Sequence, residues 1–145
     1  MVVKAGSAVV AILLSLAGCG GIIEQNVKPV TFAAGESREV CLIENPAVSE
    51  GFLDAYKSAL SKRNLTIRML PQGSALTACP LTLTYTANWR WDLALYLAYA
   101  NLKVYRNGNL DGEALYDGMK AALDTGKFIK ADAKIQELTD RLFPN

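Results

Sequence analysis

Of 145 residues, 15 are Lys or Arg, 14 are Asp or Glu and 0 are His, giving a net charge of +1 at pH 7 with 51% hydrophobic content. That balance excludes the basic footprint that nucleic-acid binding or polybasic membrane attachment requires. A chain without histidine also excludes Ser-His-Asp and Cys-His nucleophiles and the His-based zinc hydrolases.

Residues 1–18 read as an export signal. Lys4 precedes the apolar run 8–16, which fits the about 7–15 residues of such a segment. A membrane-spanning helix needs about 20 apolar residues, and Gly18, Gly20, Gly21 and Glu24 end the run before that. Leu16-Ala17-Gly18-Cys19 has the form of a bacterial lipobox. Its small residues let extended backbone enter the signal peptidase, and the Cys19 thiol takes the diacylglyceryl group. Two or more acyl chains, palmitate among them, anchor stably where one does not, at about 0.8 kcal/mol per buried CH₂. The plainer alternative is a secretory signal with a chance cysteine. Gly20, in place of an Asp that would retain the protein in the inner membrane, points to the outer membrane, with the domain facing the periplasm.

Residues 19–37 contain three Gly and one Pro without periodicity and read as a flexible tether; 38–145 read as one domain. Residues 38–44 are a short β-like run ended by Asn45-Pro46. Phe52, Ala55, Tyr56, Ala59 and Leu60 then repeat at i, i+3, i+4, i+7 and i+8, the apolar face of a helix that Asn45 or Ser49 caps and Asn64 ends. Residues 65–70 alternate as a strand, and 71–78 form a loop leading to Cys79-Pro80. Leu81, Leu83, Tyr85, Ala87, Trp89 and Trp91 alternate with Thr82, Thr84, Thr86, Asn88 and Arg90 in the clearest strand of the chain, and Asp92 marks its turn. Residues 93–106 form a second long strand, apolar on both faces over its first half. Asn107-Gly108 signals a tight hairpin, because both central residues of a type I′ turn take positive φ, and 112–117 return. Residues 118–127 carry signals of both a loop and a helical turn. Phe128, Ala131, Ile135, Leu138 and Leu142 line a last helix, with Glu137 and Arg141 paired on its surface and Pro144 after it. The order β-α-β-β-β-β-α predicts an α+β two-layer sandwich: a mostly antiparallel sheet with both helices on one face, and the strands joined through the first helix parallel.

With Cys19 acylated, Cys41 and Cys79 remain as an even pair in an oxidising compartment, which predicts a disulfide; two separate buried thiols are the alternative. Two distant cysteines make no metal site, and no Gly-rich loop between strand and helix cradles phosphate, so no metal or cofactor is expected. Asp92, Asp111, Glu113 and Asp117 fall near strand ends, where solvated turn carboxylates are the simpler reading than a glycosidase pair. Trp89 and Trp91 share a strand face with Leu81, Leu83 and Tyr85. Core packing is expected for Trp89, while Trp91, beside Asp92, stands between core and site. If that face outruns the helices, Trp89, Arg90, Trp91 and Asp92 form the candidate ligand site.

The runs Cys41-Leu42-Ile43-Glu44-Asn45-Pro46, Ala78-Cys79-Pro80-Leu81-Thr82-Leu83-Thr84-Tyr85 with Trp89-Arg90-Trp91-Asp92, and Lys134-Ile135-Gln136-Glu137-Leu138 with Leu142-Phe143-Pro144 resemble a family of uncharacterised Gram-negative lipoproteins known only by a locus tag. The resemblance runs from Arg38 to the C-terminus and implies the same disulfide and α+β domain, without an activity. The chain departs from the family at Asp117-Gly118-Met119-Lys120, where a turn richer in Arg and Gly is expected. The layout is also similar, at the level of fold alone, to periplasmic lipoproteins that assist outer-membrane assembly and lipid transport. The expected function is therefore non-enzymatic: a lipid-anchored envelope domain that binds a protein partner or supports assembly. The alternative is a binding module for a small amphipathic or glycan ligand.

Overall fold

The computed structural model describes residues 23–121 and 130–145. The lipobox with Cys19, and Phe128 of the last predicted helix face, lie outside the described residues. Eight elements follow in order: β1 (Glu24–Lys28), β2 (Glu39–Ile43), α1 (Glu50–Lys62), β3 (Thr66–Leu70), β4 (Leu81–Asp92), β5 (Ala94–Arg106), β6 (Asn109–Asp117) and α2 (Ala131–Leu142). The strands form one mixed sheet of order β1-β6-β5-β4-β2-β3. From β4 to β1 the neighbours are antiparallel; β2 runs parallel to both β3 and β4. This is the predicted α+β sandwich with one strand added.

That strand is β1, which lies within the residues read as a tether. Gln25 and Val27 alternate on the covered face, and Val30 is buried against α2, its N–H donating to the Leu142 carbonyl at 2.8 Å. The segment was hard to read because a five-residue edge strand with polar alternate positions carries little hydrophobic periodicity. A polar network holds it. Gln25 Nε2 donates to Glu137 Oε1 at 2.6 Å, and Lys134 Nζ donates to Gln25 Oε1 at 3.1 Å and to Glu137 Oε2 at 2.7 Å. Partial burial pushes the Glu137 carboxyl up, but these bonds and the nearby Lys134 and Arg141 charges outweigh it and hold it below its ordinary value.

The remaining elements stand where their residues place them. Ser49 caps α1, accepting from the Phe52 N–H at 3.4 Å, and Asn64 takes φ 59° just past its end. Asn45, the other candidate cap, instead joins β2 to β4. Its N–H donates to the Tyr85 hydroxyl at 3.0 Å and its side-chain amide to the Tyr85 carbonyl at 2.9 Å. Asn107 and Gly108 take φ 49° and 84°, the hairpin their sequence predicts. The core lies between the sheet and the two helices. Leu83 and Tyr85 of β4, Leu102 and Val104 of β5 and Ala114 and Tyr116 of β6 face Phe52, Tyr56 and Leu60 of α1 and Ile135, Leu138 and Leu142 of α2.

Cys41 and Cys79 are disulfide-bonded, with their Cα atoms 6.2 Å apart, and the adjacency of β2 and β4 makes this possible. The Arg68 guanidinium covers the bridge, with Nε 3.3 Å from the Cys41 sulfur and Nη2 2.8 Å from that of Cys79.

Gly112 marks where β1 and the C-terminal end of α2 close on β6. A β-carbon there would collide with the Val30 side chain and lie 3.1 Å from the Lys28 carbonyl oxygen and 3.2 Å from Leu142 Cδ1. Gly112→Val is therefore expected to destabilise by about 1–3 kcal/mol and lower the melting temperature by about 4–12 °C. Thermal unfolding followed by circular dichroism checks this, and an unchanged transition would show that the joint yields freely.

Candidate functional site

The helices cannot cover the whole sheet. At about 3.3 Å per residue the 12 residues of β4 span about 40 Å, whereas the 13 residues of α1 at about 1.5 Å span about 20 Å. The β4–β5 hairpin therefore outruns its cover at the Asp92 end. A bulge at Ala98 sets Trp89 opposite Leu97 after Asn88 opposite Tyr99, and Trp91 then pairs with Leu95. The extra residue is in β5, so the alternation of β4 is undisturbed and Trp89, Trp91, Leu95 and Leu97 share the helix-side face.

Exposure rises steadily along that face. Tyr85 is buried, Trp89 is 36% exposed and Trp91 72%, and across the turn Leu93 is 87% and Leu95 68% exposed. The core placement expected for Trp89 is corrected: its indole stands at the rim, because the helices end before it. Trp91 lies outside the core altogether.

Between this overhang and the starts of the two helices is a cleft of about 630 Å³. Trp89 and Leu95 form one wall; Gly51, Phe52 and Ala55 of α1 and Ala131 and Ile135 of α2 form the others, with Ser49 and Asp132 as polar groups. The size and apolar lining suit a small-molecule or side-chain site, for which about 300–1,000 Å³ is usual. A more polar hollow of about 490 Å³ is lined by Asn88, Trp89, Arg90, Trp91 and Met119. Of the four predicted site residues, Trp89 lines both spaces, Trp91 and Arg90 line the polar one, and Asp92 sits at the hairpin end, lining neither.

Leu93 and Leu95 were missed as site residues, although residues 93–97 are apolar on both faces, which is the mark of a strand that no single layer covers. Phe52, Ala55 and Ile135 were read as helix faces; periodicity gives the face of a helix but not which of its turns reaches the end of the sheet.

The four candidate carboxylates do not converge. Asp111 pairs with Arg106 at 3.1 Å, Glu113 accepts from Asn101 at 2.9 Å and Asp117 accepts from the Met119 N–H at 2.9 Å, while Asp92 is at the hairpin apex. Among the described residues, no three His, Cys, Asp or Glu side chains are grouped to hold a metal.

Neither a family model nor a curated protein sequence matches the chain. Among solved structures it is similar in fold to the PelC dodecamer of Paraburkholderia phytofirmans. The TM-score is 0.55 at 14% identity, with 84% of this chain and 98% of that one covered. A variant of the same dodecamer gives a TM-score of 0.53 at 14% identity, covering 84% of this chain and 96% of that one. A minor lipoprotein from Acinetobacter baumannii overlays less closely, with a TM-score of 0.42 at 16% identity, covering 79% of this chain and 92% of that one.

Proposed function

We propose that the chain is a lipid-anchored lipoprotein of the bacterial envelope, held in the outer membrane through Cys19 and facing the periplasm, whose domain works by binding and not by catalysis. The observation that carries the binding role is the apolar cleft beneath Trp89, at the exposed end of the β4–β5 hairpin. Exposed apolar side chains grouped around a concave site suit contact with another body. The complete lipobox and the resemblance to Gram-negative lipoproteins support the anchor. The partner is an envelope protein, and the fold shared with a dodecameric protein makes further copies of this chain the first partner to test, by light scattering of the purified protein.

A second reading places a small amphipathic or glycan ligand in the cleft. Its support is the concave apolar lining with Ser49 and Asp132 at the edge, which suits a molecule with one polar end.

Cys19→Ser tests the anchor. The variant is expected to lose incorporation of labelled palmitate and to move from the membrane fraction to the soluble periplasmic fraction. A wild-type protein that is soluble and carries no added lipid mass would overturn the reading.

A further inference from the structure

The two hairpin ends of the sheet differ in chemistry. At one end Arg106, Asn107, Gly108 and Asn109 make a polar turn. At the other, Trp91, Leu93 and Leu95 stand in solvent around an apex where Leu93 takes φ 61°. Left-handed backbone suits Gly or Asn and is unfavourable for an apolar side chain, so Leu93 occupies the apex against local preference.

This apolar apex lies at the end of the sheet where the chain arrives. Glu24 pairs with Asp117, Asp117 with Tyr99 and Tyr99 with Asn88, which sets the first residue of β1 level with Asn88. The hairpin continues past that level to Asp92, four residues and about 13 Å at about 3.3 Å each. Five links separate Cys19 from Glu24, and they reach at most about 17 Å.

We propose that the β4–β5 apex inserts Trp91, Leu93 and Leu95 into the same membrane leaflet that receives the acyl chains of Cys19; this rests on the lipid-anchor reading above. The two reaches carry it. A bilayer that holds the acylated Cys19 lies no more than about 17 Å from Glu24, so with this end of the sheet toward the membrane the apex, about 13 Å beyond the level of Glu24, comes within reach of lipid. The residue types fit the depth: an indole sits at headgroup level and the leucines below it. Arg90, exposed on the opposite face of β4, is placed where its guanidinium meets lipid phosphates while its stem lies along the strand. A second contact beside a single flexible anchor fixes the domain's orientation and turns the mouth of the cleft toward the membrane surface.

Trp89 and Trp91 are the only tryptophans in the chain, so intrinsic fluorescence reads the site directly. The test uses the mature lipidated protein in phosphatidylethanolamine–phosphatidylglycerol vesicles that carry spin labels on their acyl chains. In Trp89→Phe, which leaves Trp91 alone, emission is expected to be strongly quenched; in Trp91→Phe, which leaves Trp89, quenching is expected to be weaker. Adding Leu93→Asp and Leu95→Asp to Trp89→Phe is expected to abolish the quenching while lipidation, vesicle binding and melting temperature stay unchanged. Vesicle-bound, lipidated protein whose Trp91 escapes the acyl-chain quencher overturns the proposal and leaves the anchor standing. Emission that shifts to shorter wavelength only as protein density rises, without quenching, also overturns it, in favour of a second copy covering the apex. A mature chain without acyl mass overturns the anchor reading, and this proposal with it.

Discussion

Replacing both Cys41 and Cys79 by Ala should lower the unfolding free energy by about 4 kcal/mol, the chain-entropy value for a bridge between residues 38 apart in sequence. The effect should be unevenly distributed. The antiparallel half of the sheet, β1-β6-β5-β4, is held by long registers, whereas β2 joins β4 through only Cys41↔Thr82 and Leu42↔Leu83. The bridge lies beside this short joint and fastens the residue that leads into β4. Without it, the β2–α1–β3 unit keeps the Asn45–Tyr85 hydrogen bonds and the contact of α1 with α2 but loses the cross-link that ties β2 to the start of β4. Urea unfolding of the double variant measures the total. Amide exchange should show lost protection first in β2 and β3 and last in β5 and β6. A change below about 1 kcal/mol would mean that the unfolded chain is already constrained without the bridge.

The fold was legible wherever a residue's local role and its tertiary role agree. Ser49, Asn64 and the Asn107-Gly108 pair do locally what their chemistry dictates, and Leu81, Leu83 and Tyr85 follow the two-residue period into the core. β1 escaped because its place depends on partners distant in sequence: Tyr116 beside Gln25 across the sheet, and Lys134 and Glu137 on α2. The candidate site was half legible. Trp89, Arg90 and Trp91 were named from the sequence, but the same period that made them visible extended the core too far along β4. The lengths alone forbid a core that follows the whole strand, since a strand of 12 residues is about twice as long as a helix of 13. The bulge at Ala98 was not foreseeable, because Tyr96, Leu97 and Ala98 are all buried and their run carries no alternation to break.

The contrast along β4 gives the second large effect. Tyr85→Ala should destabilise the protein by about 3–5 kcal/mol, in the range for removing a buried aromatic ring. The ring stacks on Phe52, centroids 6.0 Å apart and planes inclined by 13°, and meets the edge of Tyr56 at 6.1 Å. Its hydroxyl accepts the Asn45 N–H that closes β2 against β4. Tyr85→Phe keeps the ring and removes only that acceptor, so about 1 kcal/mol is expected. Trp91, six residues along the same face, should behave oppositely: its indole is mostly in water, and Trp91→Ala should stay within about 0.5 kcal/mol of the wild type. Trp89→Ala falls between them, since one wall of the cleft loses its cover but no sealed cavity forms. Urea midpoints for the four variants, at equal slope, test the gradient. If Trp91→Ala were as damaging as Tyr85→Ala, the helices would have to reach the end of the hairpin, and the overhang that both the binding role and the membrane contact require would be gone.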